Sequence, residues 1–317
     1  MKTRPLKIFA VVLVVVVGLY CLNLAVPRHD YFLERAGVLD KVEHSEWATP
    51  ASIMESVRLE NSTGLVVEMR VVRPANTGDN ALPFVLMLGG HRTGKDAVDL
   101  VGVSNHVAYA AIDYPYAGRE EIDGLWQSIT TVPDIQRAFI DAPAALSLAL
   151  TWALQQPWVD KTRVELVGVS LGVPFAAAAG AVDTRFTRVW LLHGGGDNLS
   201  WVDHAGRKRI ESDTLRRIAA RTALFLVYGN SFDTKKWIAK IAPRPLIIVA
   251  ACNDDYVPPE AQLPLVEASK SDTVELIWTT GQHIGPRRGD ELQQLLKIVD
   301  GRVGLYLRTG SVDCVVD

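Results

Sequence analysis

Short apolar runs alternate with helical patterns along most of this chain. Ser56–Leu59 and Leu65–Val72 read as strands, joined by Glu60–Gly64, a Gly-containing connection of hairpin length. Phe84–Leu88 is a continuous apolar run of the kind a strand covered on both faces needs, and His106–Asp113 is the next strand candidate. A helical pattern covers Pro133–Gln156. Pro143 interrupts it, and Asp141 can cap a fresh helix there with the proline in its first turn, which predicts a short helix followed by a longer one. Val164–Val167 then reads as a buried strand and Val173–Ala181 as an Ala-rich helix with Pro174 in its first turn. Val189–Leu192, a mixed helical region over 201–240, Pro245–Ala250, Thr273–Trp278 and a helix around Glu291–Val299 follow. This alternation predicts an α/β fold with a mostly parallel, doubly wound sheet. The Ala-rich helices suit close packing on that sheet.

The amino terminus breaks the pattern. Lys2, Arg4 and Lys7 precede Ile8–Val26, an uncharged stretch whose length as a helix matches a hydrocarbon core about 30 Å thick. Lipid forces even a Val-rich segment helical, because water is absent there to satisfy the backbone. A cleaved signal peptide is the rival reading. The run is longer than an ordinary signal core, and no clean small-x-small site follows it. Tyr20 before Cys21 disfavours a lipoprotein. The organisation expected is a cytoplasmic tip and transmembrane anchor over 1–28, a juxtamembrane stalk over 29–50, an α/β catalytic domain over 51–305 and a tail over 306–317. The basic residues before the span favour a single-pass cell-membrane protein with the globular part outside the cytoplasm, although Arg28, Arg35 and Lys41 beyond the span reduce the asymmetry. The bilayer is thus a partner through residues 8–26.

At 317 residues the chain suits one large domain with a short appendage. Its 33 basic and 36 acidic residues are interspersed, so nucleic-acid binding has no electrostatic footprint. The three cysteines, Cys21, Cys252 and Cys314, are scattered and lack CxxC spacing, which argues against a disulfide framework or a zinc site.

The chemistry concentrates in Gly168-Val169-Ser170-Leu171-Gly172, set between a strand and a helix. A Ser flanked by glycines at a sharp strand-to-helix turn has the form of a nucleophile elbow, and the following helix offers free N–H groups and a positive dipole end to an oxyanion. A Ser hydroxyl needs a base, and the base an orienting acid. Downstream, Asp254 and His283 lie in loops just after strands, where open α/β sheets place their sites. Asp255 and Asp197 are alternative acids, and His283 alone could be a solvated turn residue. Upstream, Gly89-Gly90-His91-Arg92 follows a strand. Gly90 permits close backbone approach, and the N–H of His91 joins that of Leu171 as an expected oxyanion donor. His193-Gly194-Gly195-Gly196 comes after the nucleophile, the wrong crossover for that role, and reads as a glycine turn at the site rim. Trp201, Trp237 and Ile210–Leu226 suit either a short lid or an ordinary sheet-covering helix. Arg92, Lys95 and Arg119 suit either an anionic substrate or plain surface charge.

With these residues the chain resembles the α/β-hydrolase superfamily over about 50–305. Ile112–Arg119, Trp158–Val164 and Ile241–Leu246 are similar to the branch of dienelactone hydrolases, acetyl xylan esterases and prolyl-oligopeptidase-type domains. That branch carries its acid in a D-x-x-V-P context, which Asp254 matches and Asp255 does not. The chain departs from it in having Ser where dienelactone hydrolases have Cys, Gly89-Gly90 for His-Gly, and Val173 for a second glycine. The resemblance implies a serine esterase: Ser170 nucleophile, His283 base, Asp254 orienting acid, Leu171 and His91 oxyanion donors, no cofactor or metal, and a small-molecule ester or acyl substrate. A serine peptidase and a non-catalytic binding module are the alternatives. The absence of a propeller-like repeat array counts against the first, and the complete triad against the second.

Overall fold

The computed structural model describes residues 3–26, 28–76, 80–90, 93–118, 124–268, 272–285 and 289–303. The strands are β1 (Leu39–Ala48), β2 (Ser52–Asn61), β3 (Val66–Pro74), β4 (Leu82–Leu88), β5 (Ala108–Ile112), β6 (Val159–Val169), β7 (Arg188–Leu192), β8 (Leu246–Ala251) and β9 (Val274–Thr279). They form one sheet in the order β1-β2-β3-β5-β4-β6-β7-β8-β9. Pairing is antiparallel from β1 through β3 to β5 and parallel beyond. The helices are α1 (Thr3–Ala25), α2 (His29–Ala36), α3 (Ala97–Val101), α4 (Gly124–Ala153), α5 (Val173–Val182), α6 (Asn198–Gly206), α7 (Asp213–Leu226), α8 (Thr234–Ile241), α9 (Pro259–Ala268) and α10 (Gly289–Asp300).

Strand alternation assigns each side chain to a face. In β4, Phe84, Leu86 and Leu88 join a core completed by α2, α4, α5 and α8, whereas Val85 and Met87 join a smaller one completed by α3 and α10. The doubly wound, mostly parallel sheet read from the alternation is present.

Three expectations change. The Pro143 break is absent: α4 runs unbroken through Pro133 and Pro143. Its middle, from Ala142 to Leu150, lies almost wholly buried on the sheet, and that packing outweighs the lost backbone hydrogen bond. Asp141, expected as a cap, instead receives Arg35 through Nε and Nη2, both at 2.9 Å.

The region expected as a stalk belongs to the fold. Phe32 of α2 is buried against the rings of Phe232 and Trp237, at 5.5 and 6.0 Å. β1 pairs with β2 along its length as an added edge strand. Both its faces are exposed, so its sequence shows no apolar alternation by which to recognise it.

The scattered cysteines argued against a disulfide framework, yet Cys252 is disulfide-bonded, whereas Cys21 is free; Cys314 lies outside the described residues. Sequence spacing carries no signal for a bond set only by spatial proximity. Among the described residues no single helix is long and apolar enough to cross a membrane.

Candidate active site

Ser170 sits where β6 passes through a single 3₁₀ turn, Ser170–Gly172, into α5. Its φ is +53°, a left-handed conformation that side-chain-bearing residues rarely hold and that persists only where the surroundings impose it. Here they do. A Cβ on Gly172 would lie 2.0 Å from the carbonyl oxygen of Leu88, and one on Gly168 would lie 2.5 Å from the Ala176 methyl. The spacing of the elbow glycines is therefore steric, letting β4, β6 and α5 approach closely.

From this turn the Ser170 hydroxyl lies 2.8 Å from His283 Nε2, and His283 Nδ1 lies 2.8 Å from Asp254 Oδ2. The other Asp254 oxygen accepts the N–H groups of Tyr256 at 2.8 Å and Val257 at 2.7 Å. That explains the D-x-x-V-P context: the carboxylate caps its own turn with one oxygen and holds the imidazole with the other. With Asp254 accepting from Nδ1, the Nε2 lone pair faces the Ser170 hydroxyl, the arrangement for moving its proton. Both side chains are nearly buried, which strengthens each charge-assisted contact. The Tyr256 ring lies against the imidazole at 5.1 Å and is itself largely exposed.

Of the alternative acids, Asp197 is engaged elsewhere. Asp197 caps α6, accepting from the N–H groups of Leu199 and Ser200. The backbone carbonyl of Asp255 lies 3.2 Å from His204 Nε2 of α6. Leu171 follows the nucleophile in the elbow. Gly90 lies in the loop after β4, where its carbonyl accepts from the N–H and hydroxyl of Thr93. His91 lies outside the described residues, as do Arg92 and Arg119. Lys95 is tied to Asp113 through both its backbone N–H and its ammonium, at 2.8 and 2.7 Å. It thus fastens the loop after β4 to the end of β5. Trp237 is a core residue, its indole N–H bonded to the Ser231 carbonyl at 2.8 Å. Trp201 lies over Gly195 in α6.

His193 is the residue whose part the sequence understated. It follows β7 with φ +50° and is buried. Its Nδ1 accepts the N–H of Ile284 at 3.1 Å, directly after His283, so its proton is on Nε2, which faces Thr279 Oγ1 at 3.2 Å. Thr279 in turn donates to the Ala250 carbonyl. Burial pushes its pKa down to about 4, keeping it a neutral brace for the His283 loop. His193, Asp254 and His283 bring ligand-type atoms within 4.8 Å of one another. The hydrogen bonds just described account for that convergence.

A cavity of about 860 Å³ opens beside Ser170 and His283. It runs between the sheet and helices α3 and α10, and among its described lining residues none comes from α6 or α7.

No family model matches the chain, and no curated protein matches it. Solved structures do. Acetyl xylan esterase 1 from Thermoanaerobacterium sp. JW/SL YS485 superposes with a TM-score of 0.58 at 16% identity, over 89% of this chain and 95% of that one. An acetyl xylan esterase from Paenibacillus sp. R4 gives 0.58 at 15%, over 85% and 92%. A glucuronoyl esterase from Solibacter usitatus gives 0.51 at 16%, over 87% and 92%. The fold is that of the α/β hydrolases.

Proposed function

We propose that the chain is a serine hydrolase acting on carboxylic esters, with Ser170 as nucleophile, His283 as base and Asp254 as its orienting acid. The observation that carries this reading is the continuous hydrogen-bonded chain from a left-handed Ser170 through His283 to Asp254. Ser170 Oγ attacks the ester carbonyl carbon while His283 Nε2 takes its proton. The N–H of Leu171, with a donor from the loop after β4 where His91 lies, stabilises the oxyanion. Collapse of the tetrahedral intermediate expels the alcohol, which receives the proton from Nε2. Water then enters and attacks the acyl carbon as the same nitrogen takes its proton; the acid is released and Ser170 Oγ receives the proton back from Nε2. That three solved neighbours are named as esterases supports an ester over an amide substrate. The test is labelling by a fluorophosphonate probe. The wild-type chain is labelled and Ser170→Ala is not; labelling that persists at another serine overturns the assignment.

The same proposal holds the protein at a membrane through residues 8–26, with the hydrolase outside the cytoplasm. Exposed apolar side chains on α1, such as Val14 and Leu22, support the first part, since a bilayer would cover them. Disulfide-bonded Cys252 supports the second, because such bonds persist in oxidising compartments. Retention in the membrane pellet after alkaline carbonate extraction is the expected result; release into the supernatant counts against the anchor.

A further inference from the structure

We propose that the cavity beside Ser170 is an acyl-chain channel, and that the ester hydrolysed carries a fatty acyl group and not a short one. This rests on the serine-hydrolase reading above and adds the substrate class.

The channel exists because α3 is too short for its place. It spans only Ala97–Val101, about one and a half turns, while the sheet it faces continues well below it. Val98 packs fully, but Leu100 and Val101 border open space and form one wall. Leu292 and Leu296 of α10 form the opposite wall. The floor is the sheet itself, through Val169, Val167 and Met87 below Ser170 and then Tyr109.

Strand register gives the depth. Tyr109 is level with Val85, which is level with Glu165, five residues before the nucleophile. At about 3.3 Å per strand residue the channel descends roughly 16 Å from the Ser170 level. The lining reaches down to Tyr109, whose hydroxyl is occupied, donating to Asp300 Oδ1 at 2.9 Å.

Shape and chemistry together select the occupant. The walls from α3 and α10 are aliphatic, and the polar side chains of the lining are Thr93, Ser170, Tyr256 and His283, with Tyr109 below. A sugar would leave its hydroxyls facing Leu and Val side chains, unpaired, which is strongly unfavourable. Water is held equally poorly along such walls. An acetyl group would leave most of the volume unfilled. An unbranched acyl chain can lie along these aliphatic walls, gains from every methylene buried, and arrives with its carbonyl beside the nucleophile.

The experiment is a chain-length series of p-nitrophenyl esters (acetate, butyrate, octanoate, laurate and palmitate) on the full chain in detergent micelles. The expected kcat/KM rises up to about fourfold per added methylene, the equivalent of ~0.8 kcal/mol, until the channel is full. Val101→Trp, which places an indole in the channel, lowers the laurate-to-acetate ratio of kcat/KM at least tenfold. Leu296→Phe, a smaller obstruction, moves the optimum to a shorter ester. A wild-type profile that is flat or falls from acetate onwards overturns the channel and leaves the hydrolase reading standing. Failure to turn over any ester, together with loss of Ser170 labelling, overturns that reading instead.

Discussion

The two faces of the central sheet are built from the same strands and packed in opposite ways. On one face α4, α5, α8 and α2 cover the strands with an aromatic cluster. Phe175 touches Phe139 and Phe232 at centroid distances of 4.9 and 4.7 Å, and Phe232 stacks on Phe32 at 5.5 Å. On the other face α3 and α10 meet the sheet only in part and leave a cavity. A void normally costs stability, since atoms lining it lose their contacts. The molecule tolerates one where it opens beside Ser170. The lesson is a division of labour: the α4–α5 face holds the sheet together, and the α3–α10 face is left hollow at the reactive residue.

The largest expected effect tests the packed face. Phe175→Ala removes a fully buried ring from that cluster and lowers unfolding free energy by about 3–5 kcal/mol. Leu296→Ala, which borders space already empty, costs less than half as much. Urea unfolding of the two variants measures this directly, and equal losses would remove the contrast between the faces. A smaller effect tests the rim of the hollow face. His193 has its pKa lowered from 6.5 to about 4, so between those values the unfolded chain binds a proton that the folded one refuses. Stability therefore falls as pH drops through that window, by up to about 3 kcal/mol from this group. His193→Gln removes that contribution, and unfolding midpoints at pH 7 and pH 4.5 then lie closer together than in the wild type. An unchanged gap between the midpoints would mean that His193 is not the neutral brace described.

Much of the architecture was legible because it follows from local periodicity. The buried runs that became β4 and β8 are apolar throughout, and those in β6 and β7 are apolar apart from buried Glu165 and Arg188, as strands covered on both faces tend to be. The elbow was legible because only glycine fits at Gly168 and Gly172. What escaped was set by non-local contacts. β1 is exposed on both faces and pairs with β2, which offers it an edge. α4 survives two prolines because the sheet beneath it supplies the packing. His193 sat in a conspicuous glycine run, but its role depends on Ile284, far along the chain.

The sequence by itself determined the run of parallel strands and the helices between them, the turn carrying Ser170, and the residue types able to activate it. Tertiary structure alone decided that Asp254 comes within 2.8 Å of His283 while Asp197 caps α6, that Cys252 is disulfide-bonded, and that a cavity opens beside Ser170. The physical reason is range. Periodicity and turn chemistry act over a few residues, whereas hydrogen-bond geometry and the volume left between a short helix and a sheet exist only once distant segments have met.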